Sequence, residues 1–406
     1  MRQRRRMALV FSLAAAFGLV AAACGSDNSK STSSNTTAAA SGSATTAASG
    51  AATTASGGAG TTAAGGAIQC KPGSATVPGI TTQTAQGQGK TIGLLYDVTG
   101  RGDKSFNDAA AAGLDKAKAD FGITELESTP TAADGSDRTE RIKNVVDAHP
   151  AFIQAVGFLW ESALTASATA NTSQLYGLID DVAADKSGTP LPNVRSQLFA
   201  ANESSFLVGA AAACASKTGK IGFIGGVDEQ LIHNFQTGFE AGVKHINPNA
   251  TVTTKYITQL PDTTGFNDPT KGKAIADAMY ASGIDVVYAA AGGSGKGLFQ
   301  SVVATGKKPG EVYAIGVDSD QYLTASPDEQ PYILTSALKR VDVATYEAIA
   351  DALNGKLKGE IKTYNLQNNG VGYAVSNKDI NNYAGTLEDL KQQIISGTIK
   401  VPEASS

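Results

Sequence analysis

The residues best suited to chemistry are carboxylates that follow apolar runs typical of β-strands. Asp97 ends the run "TIGLLYD", Asp180 ends "QLYGLID" and Asp318 ends "VYAIGVD". Two such carboxylates could serve a hydrolase as acid and base, but nothing in their spacing selects a pair. Carboxylates at strand ends also accept hydrogen bonds from vicinal hydroxyls or ring N–H groups. The pattern therefore favours a polar binding site over a reaction centre.

Two phenylalanines lie in polar surroundings directly before predicted helices. Phe106 stands in "KSFND" and Phe266 in "TTGFNDPTKGK". Ser105, with an acid three residues later, has the pattern of a capping box, which places Phe106 on the first turn of a helix. Two interpretations of Phe106 stay open: a hydrophobic staple folded onto its own lobe, or a platform for a flat ligand ring with Asp97 and Asn107 at its edge. One ring from each half of the chain could sandwich a planar base.

Other catalytic and cofactor patterns are missing from the sequence. It contains no Gly-x-Ser-x-Gly elbow, and its three histidines, His149, His233 and His245, form no metal-type cluster with cysteines. The stretch "AGGSGKG" at 291–297 lacks the P-loop and dinucleotide patterns and is interpreted as a tight strand-to-helix turn. We therefore expect no metal, no cofactor and no catalytic activity, with an enzyme on this scaffold as an alternative.

The elements that must position these residues alternate between strands and helices. The strand-like runs are near-continuous in apolar residues, which is typical of parallel strands covered on both faces. Alternation of this kind predicts an α/β architecture with right-handed crossovers. Two groups of strands, divided near residue 205, predict two parallel sheets side by side. Because ligands bind outside the carboxyl ends of such strands, we expect the site in a cleft between two lobes.

The start of the chain has the pattern of an export signal. Residues 1–23 combine four arginines, an apolar stretch and small residues, and the "AAAC" that ends at Cys24 resembles a bacterial lipobox. We predict a lipoprotein signal peptide over 1–23, a lipidated Cys24, and a disordered Ser/Thr/Ala/Gly tether within 24–87, because that composition cannot bury a core. Plain secretion without the lipid is the alternative.

Charge and cysteine content narrow the range of partners. The formal net charge is −4, and the body without the arginine-rich signal is more acidic. An acidic body with no basic stripe argues against nucleic acid as a partner. Cys70 and Cys214 remain once Cys24 is lipidated. They form either a disulfide, as an oxidising compartment permits, or two separate buried thiols.

Five motifs, in this order, resemble the basic membrane protein family. They are "IGLLYDVTGRGDKSFNDAAAAGL", "GFIGGVDEQLIHNFQTGFEAGVK", "GFNDPTKGKAIADAMYASGIDVVYAAAGGSGKGLFQ", "IGVDSDQ" and "LTSALKRVD", and the resemblance covers residues 90–375. Members are lipid-anchored solute-binding proteins of ABC transporters, similar to the bacterial purine-nucleoside receptor. The resemblance implies the type I periplasmic-binding fold: two α/β lobes, each with a parallel sheet flanked by helices, and a three-strand hinge. On this basis lobe 1 comprises residues 88–205 with 332–375, and lobe 2 comprises 206–331 with 376–402.

The resemblance also implies which residues bind the ligand. Carried over position by position, they are Asp97, Phe106, Asn107, Asp180, Phe266, Gly292, Asp318 and Lys339. Phe106 and Phe266 would clamp the purine, and Asp97 and Asn107 would recognise the base.

Three of the remaining four positions concern the sugar. Gly292, Asp318 and Lys339 would hold the ribose hydroxyls, whereas Asp180 resembles a further polar contact. For Lys339, a salt bridge to Asp318 or Asp342 is the alternative role, and the two roles can coexist.

Two places depart from the family pattern near the base. Arg101 occupies the loop after the first strand, and Trp160 with Glu161 follows a later strand end. Trp160 belongs either to the core or to a third wall of the cleft.

The function implied by the resemblance is capture and delivery. A monomeric, lipid-anchored receptor would take up a purine nucleoside of the guanosine, inosine or adenosine type outside the cytoplasm and deliver it to a membrane permease. The alternatives are a receptor for a sugar, an autoinducer or another small polar metabolite, and a sensor that uses the same cleft.

Overall fold

The computed structural model describes residues 67–132 and 134–405. The predicted signal peptide, Cys24 and most of the predicted tether lie outside the described residues. The described strands are β1 Thr91–Leu95, β2 Thr124–Ser128, β3 Phe152–Ala155, β4 Tyr176–Ile179, β5 Val194–Phe199, β6 Lys220–Asp228, β7 Thr251–Gln259, β8 Val286–Ala290, β9 Tyr313–Asp318, β10 Ile333–Lys339, β11 Glu360–Tyr364 and β12 Val371–Tyr373. The described helices are α1 Phe106–Phe121, α2 Arg138–Asp147, α3 Glu161–Ala170, α4 Ala201–Ala215, α5 Gln230–Ile246, α6 Pro269–Ala281, α7 Gly295–Ala304, α8 Val341–Leu353 and α9 Ala384–Ile395.

The strands form two six-stranded sheets. Their orders are β11-β5-β4-β3-β1-β2 and β12-β10-β9-β8-β6-β7. All neighbouring strands run parallel except β10 and β12, which are antiparallel. Every residue of β3, β4, β8, β9 and β10 is buried, as expected for central parallel strands with helices on both faces. The predicted α/β fold with two parallel-dominated sheets is confirmed.

Apolar cores fill both faces of each sheet. In the first lobe α1 and α8 cover one face and α2 and α3 the other. In the second lobe α4, α5 and α9 cover one face and α6 and α7 the other. The helices cover the two faces of each sheet and leave the carboxyl ends of its strands uncovered.

The lobe boundaries differ from the sequence prediction at one segment. Residues 332–375 were assigned to lobe 1, but β10 pairs with β9 and β12 with β10, so both strands belong to the second sheet. Only α8 and β11 from that segment join the first lobe. An apolar, fully buried strand such as β10 fits either sheet, so its sequence does not specify which sheet it joins.

From β1 onwards the chain crosses between the lobes three times, at Ala200, at Arg340 and over residues 365–370. Hydrogen bonds tie the crossings together. The Ala200 N–H donates to the Tyr364 carbonyl oxygen at 2.8 Å, and the Arg340 N–H donates to the Gly370 carbonyl oxygen at 2.9 Å. These three crossings form the hinge.

Residues 67–88 contain no helix or strand and contact both lobes. Cys70 is bonded to Cys214 on α4, with their Cα atoms 5.9 Å apart. Further along, the Pro78 carbonyl oxygen accepts from Arg340 Nη1 at 2.7 Å, and the Gln83 N–H donates to Tyr346 Oη of α8 at 3.0 Å. We call this segment the strap, because it passes from the second lobe over the hinge to the first.

No helix among the described residues combines the length and the hydrophobicity that crossing a bilayer requires.

Candidate functional site

A cleft lies where the carboxyl ends of the two sheets face each other. All eight residues that the resemblance implied line this one cleft. Further lining residues that the sequence analysis did not select are Val98, Thr99, Asp103, Gly157, Phe158, Leu231, Ile232, Phe235, Ala290, Gly293 and Val317. Most of these are apolar and belong to strand ends or first helical turns, so their sequence pattern is that of ordinary core residues.

Asp97 is buried and lies two residues after the end of β1. Its N–H donates to Asn107 Oδ1 at 2.9 Å, and its Oδ1 lies 3.4 Å from Nη2 of Arg138. Burial raises the pKa of Asp97 to about 6, against the opposing effect of the Arg138 charge. At neutral pH this carboxyl group is therefore mainly ionised and accepts hydrogen bonds.

Gly157 brings the Asp97 carboxylate and the Phe106 ring together. Its φ of 106° lies in the region that favours glycine. A Cβ atom here would lie 2.5 Å from Asp97 Oδ2 and 3.3 Å from Phe106 Cε1. The carboxylate oxygen and a carbon of the ring thus both lie beside Gly157, so a flat group stacked on that ring could reach the carboxylate with its edge.

Asp103, not the predicted capping box, caps α1. Asp103 Oδ1 accepts from the N–H groups of Ser105 at 2.9 Å and Asp108 at 3.1 Å, and Oδ2 accepts from the Asn107 N–H at 2.8 Å. The Ser105 hydroxyl makes no cap and donates instead to Asp318 Oδ2 in the other lobe, at 2.6 Å. The capping-box prediction was wrong because a nearer carboxylate already satisfies these N–H groups.

Asn107 holds the loop after β1 against the start of α1. Besides accepting from Asp97, its amide Nδ2 donates to Thr99 Oγ1 at 2.8 Å and to Asp103 Oδ2 at 3.0 Å. Its part in recognising a base stays a prediction.

Lys339 joins the lobes at the centre of the cleft. Its Nζ lies 2.5 Å from Oδ2 of Asp180, and each side chain is 3% exposed. The same Nζ lies 4.6 Å from the centroid of the Phe106 ring. Lys339 therefore forms its salt bridge with Asp180, directly after β4 of the first sheet, and not with Asp318 or Asp342 as expected.

The other oxygen of Asp180, Oδ1, is buried and has no hydrogen-bond partner among the described residues. A buried acceptor without a partner is costly, so such an atom at a cleft wall suits a ligand donor. Its backbone φ is 74° and that of Asp318 is 64°. At the ends of their strands, the backbone of both aspartates adopts the left-handed conformation, which aspartate tolerates better than most residues.

Asp318 is a second buried acid with a raised pKa. Burial raises the pKa to about 6, and both the Lys339 charge and the hydrogen bond from Ser105 oppose the rise. One of its oxygens is engaged by Ser105 across the lobes.

Phe266 ends the short turn Thr263–Phe266 and faces the same cleft as Phe106. A Cβ atom on Gly226 would lie 2.5 Å from Phe266 Cδ1, so glycine makes room for the ring. Each phenylalanine is half-buried and packs on the core of its own lobe while one side lines the cleft. Packing onto its own lobe, as the staple interpretation holds, therefore accounts for only one side of the Phe106 ring.

Two departures that the sequence analysis placed near the base do not line the cleft. Trp160 is 0% exposed, and its Nε1 donates to the Tyr96 carbonyl oxygen at 3.3 Å, so it is a core residue. Arg101 pairs with Asp115 at 2.7 Å and Glu127 at 2.6 Å on the surface of the first lobe. Phe158, two residues before Trp160, lines the cleft instead.

Acceptors outnumber donors in the cleft. Asp97, Asp180 and Asp318 face it with Lys339, while Asp103 is occupied by backbone N–H groups. Such a site suits a flat or ringed solute with several N–H or O–H donors and no negative charge. Among the described residues, no three His, Cys, Asp or Glu side chains are grouped so that they could hold a metal ion.

Comparisons with known proteins point to one kind of receptor. A family model described as "ABC transporter substrate-binding protein PnrA-like" matches residues 90–405. The chain is 34% identical over 324 residues to the ABC transporter nucleoside-binding protein BmpA of Lactococcus lactis, a match covering 76% of this chain and 88% of that protein. It is 33% identical over 327 residues to basic membrane protein D of Borreliella burgdorferi, covering 79% and 90%.

Among solved structures, an ABC transporter solute-binding protein of Aeropyrum pernix superposes with a TM-score of 0.67 at 29% identity. The match covers 78% of this chain and 94% of that one.

Proposed function

The chain belongs to the family of PnrA-like ABC transporter substrate-binding proteins, and we propose that it captures a purine nucleoside in the interlobe cleft. Membership of this family implies a small-molecule ligand and a permease in the membrane. The finer assignment depends on one observation: a phenylalanine from each lobe lines the same cleft as three strand-end aspartates and Lys339. The name of the Lactococcus lactis relative, a nucleoside-binding protein, supports it.

Different cleft residues bind different parts of the nucleoside. Phe106 and Phe266 take the two faces of the base, since base–aromatic stacking contributes about 1–3 kcal/mol. Asp97, at the edge of the Phe106 ring, accepts from the edge of the base. Asp180 and Asp318 accept from the sugar hydroxyls, and hydrogen bonds to ionised acceptors are the stronger kind.

Capture proceeds by closure of the lobes about the three crossings of the hinge. A ligand that bridges the lobes stabilises the closed form, because contacts to the second lobe exist only there. The Asp180–Lys339 ion pair and the Ser105–Asp318 hydrogen bond join the lobes in the same closed form. The closed receptor then docks on the permease and releases its ligand unchanged.

The protein works as a monomer at the outer face of the membrane. Lipid on Cys24 holds it there, and the chain before the strap acts as the tether. Palmitate labelling of the expressed protein, lost in Cys24→Ala, checks this part of the proposal. Labelling that persists in the variant would contradict it.

Isothermal calorimetry tests the ligand assignment. Guanosine, inosine and adenosine are titrated beside the free bases, ribose and a panel of neutral sugars. We expect binding of at least one nucleoside, weaker binding of its free base, and recovery of the nucleoside intact. A protein that binds a sugar and none of the nucleosides would contradict the assignment.

A further inference from the structure

Arg138 contacts Asp97 from the side away from the cleft. Asp97 is the carboxylate that, in the proposed function, accepts hydrogen bonds from the base. Arg138 is the first residue of α2, its side chain is 15% exposed, and its Nη2 lies 3.4 Å from Asp97 Oδ1. Its Nε is buried and has no hydrogen-bond partner among the described residues. Arg138 itself does not line the cleft, so it reaches a ligand only through Asp97.

The two oxygens of Asp97 have different neighbours. Oδ1 faces Arg138, whereas Oδ2 faces Gly157 and the edge of the Phe106 ring. Arg138 therefore stabilises the negative charge from behind and leaves Oδ2 as an acceptor on the cleft side.

Other charges near Asp97 do not replace Arg138. The charged residues that line the cleft with Asp97 are Asp103, Asp180, Asp318 and Lys339, and Arg141 of α2 also lies near Asp97. The Arg141 guanidinium donates to the Tyr96 and Ser128 carbonyl oxygens, and Lys339 pairs with Asp180. The negative charges of Asp103, Asp180 and Asp318 make ionisation of Asp97 less favourable. Arg138 is thus the cation in direct contact with Asp97.

We propose that Arg138, as a positioning residue, sets the base preference of the cleft by keeping Asp97 an ionised acceptor. The inference rests on the proposed function and names its preferred class: nucleosides of 6-oxopurines, such as inosine and guanosine. Their ring N1 carries a hydrogen and donates to a carboxylate, and guanine adds a 2-amino donor. The N1 of adenine is an acceptor, which a carboxylate repels.

Protonation of Asp97 reverses this preference. A protonated carboxyl group donates to adenine N1 and accepts from its 6-amino group. Its carbonyl oxygen still accepts from N1–H of a 6-oxopurine, but that bond loses the charge that made it strong. Since burial raises the pKa of Asp97 to about 6, inosine binding should weaken and adenosine binding strengthen as the pH falls through that value. Without the Arg138 charge, the reversal should occur at a higher pH.

Calorimetry with inosine and adenosine from pH 5 to 8.5 tests the inference on the wild-type protein and Arg138→Met. We expect the wild type to prefer inosine at pH 7.5. The variant should shift the pH midpoint upwards by one unit or more and lower the inosine-to-adenosine affinity ratio at pH 7.5 by at least about tenfold. Arg138→Lys, which keeps the charge, should restore much of the wild-type profile.

A wild-type ratio and pH profile in Arg138→Met would overturn the inference and leave the proposed function standing. If the wild type binds no purine nucleoside, both fail together. Should Arg138→Met not fold, Asp97→Asn tests the step through which Arg138 acts, because an amide does not titrate in this range. The pH dependence of the inosine-to-adenosine ratio should vanish in Asp97→Asn, and its persistence would exclude Asp97 and Arg138 as the cause.

Discussion

At the scale of single residues, the cleft combines flat apolar surfaces with strand-end acceptors. Phe106 and Phe266 were selected from the sequence because each stands among polar residues at the start of a helix or turn, which is unusual for a core phenylalanine. The Asp180–Lys339 contact was not predicted. The two residues are 159 positions apart, and they meet only because two separate sheets face each other.

Removing either cleft phenylalanine should weaken nucleoside binding. Phe106→Ala and Phe266→Ala should each cost about 1–3 kcal/mol, because each loses a stacking face. Phe106→Tyr and Phe266→Tyr keep the ring and serve as matched controls. Calorimetry that finds unchanged affinity in both alanine variants would remove the aromatic clamp from the account.

Asp318→Asn should affect ribonucleosides more than free bases. The substitution keeps the shape and the left-handed backbone, which asparagine tolerates, but removes a charged acceptor. We expect a loss of about 1.5–3 kcal/mol for a ribonucleoside and little change for the matching free base. Equal losses for both would show that Asp318 acts on the base or on the fold rather than on ribose.

At the scale of elements, the strand and helix pattern predicted the α/β layers well, because buried parallel strands leave a clear apolar signature. The pattern did not predict that β10 joins the second sheet, since the hinge crossings are extended segments without a sequence signature. Nor did it predict the strap, whose residues have no periodicity. Its place depends on contacts with Arg340 and Tyr346, which are distant in sequence.

The Cys70–Cys214 bond should stabilise the protein by fixing the strap to α4. It closes a loop of 144 residues, and disulfides of this kind contribute about 2–4 kcal/mol. Urea unfolding of a chain that begins at residue 67 should show this loss on reduction, and in Cys70→Ser/Cys214→Ser without reductant. The double variant should not respond to reductant. A wild-type curve that reduction leaves unchanged would contradict the expectation.

At the scale of the whole molecule, the described lobes touch across the cleft. Ser319 Oγ donates to the Ser105 carbonyl oxygen at 2.8 Å, Gln321 Nε2 to the Lys104 carbonyl oxygen at 3.0 Å, and Lys296 Nζ to the Gly102 carbonyl oxygen at 2.6 Å. These bonds belong to a closed arrangement. A receptor that exchanges ligand must break them, so opening and binding are coupled.

Small-angle X-ray scattering should detect this coupling. We expect the radius of gyration of the ligand-free protein to decrease when a nucleoside is added, because ligand favours the closed form. Ser105→Ala, which removes the hydrogen bond to Asp318, should reduce affinity and leave the radius of the saturated protein unchanged. Identical scattering with and without a bound nucleoside would contradict closure as the response to ligand.

The most direct test of the central claim is mass spectrometry of the small molecule that copurifies with the wild-type protein. The protein is purified without added ligand, denatured, and its released solute is identified by mass and fragmentation. We expect an intact purine nucleoside that is absent from Phe106→Ala/Phe266→Ala prepared in parallel. A sugar or other non-purine solute, bound equally by both proteins, would contradict it.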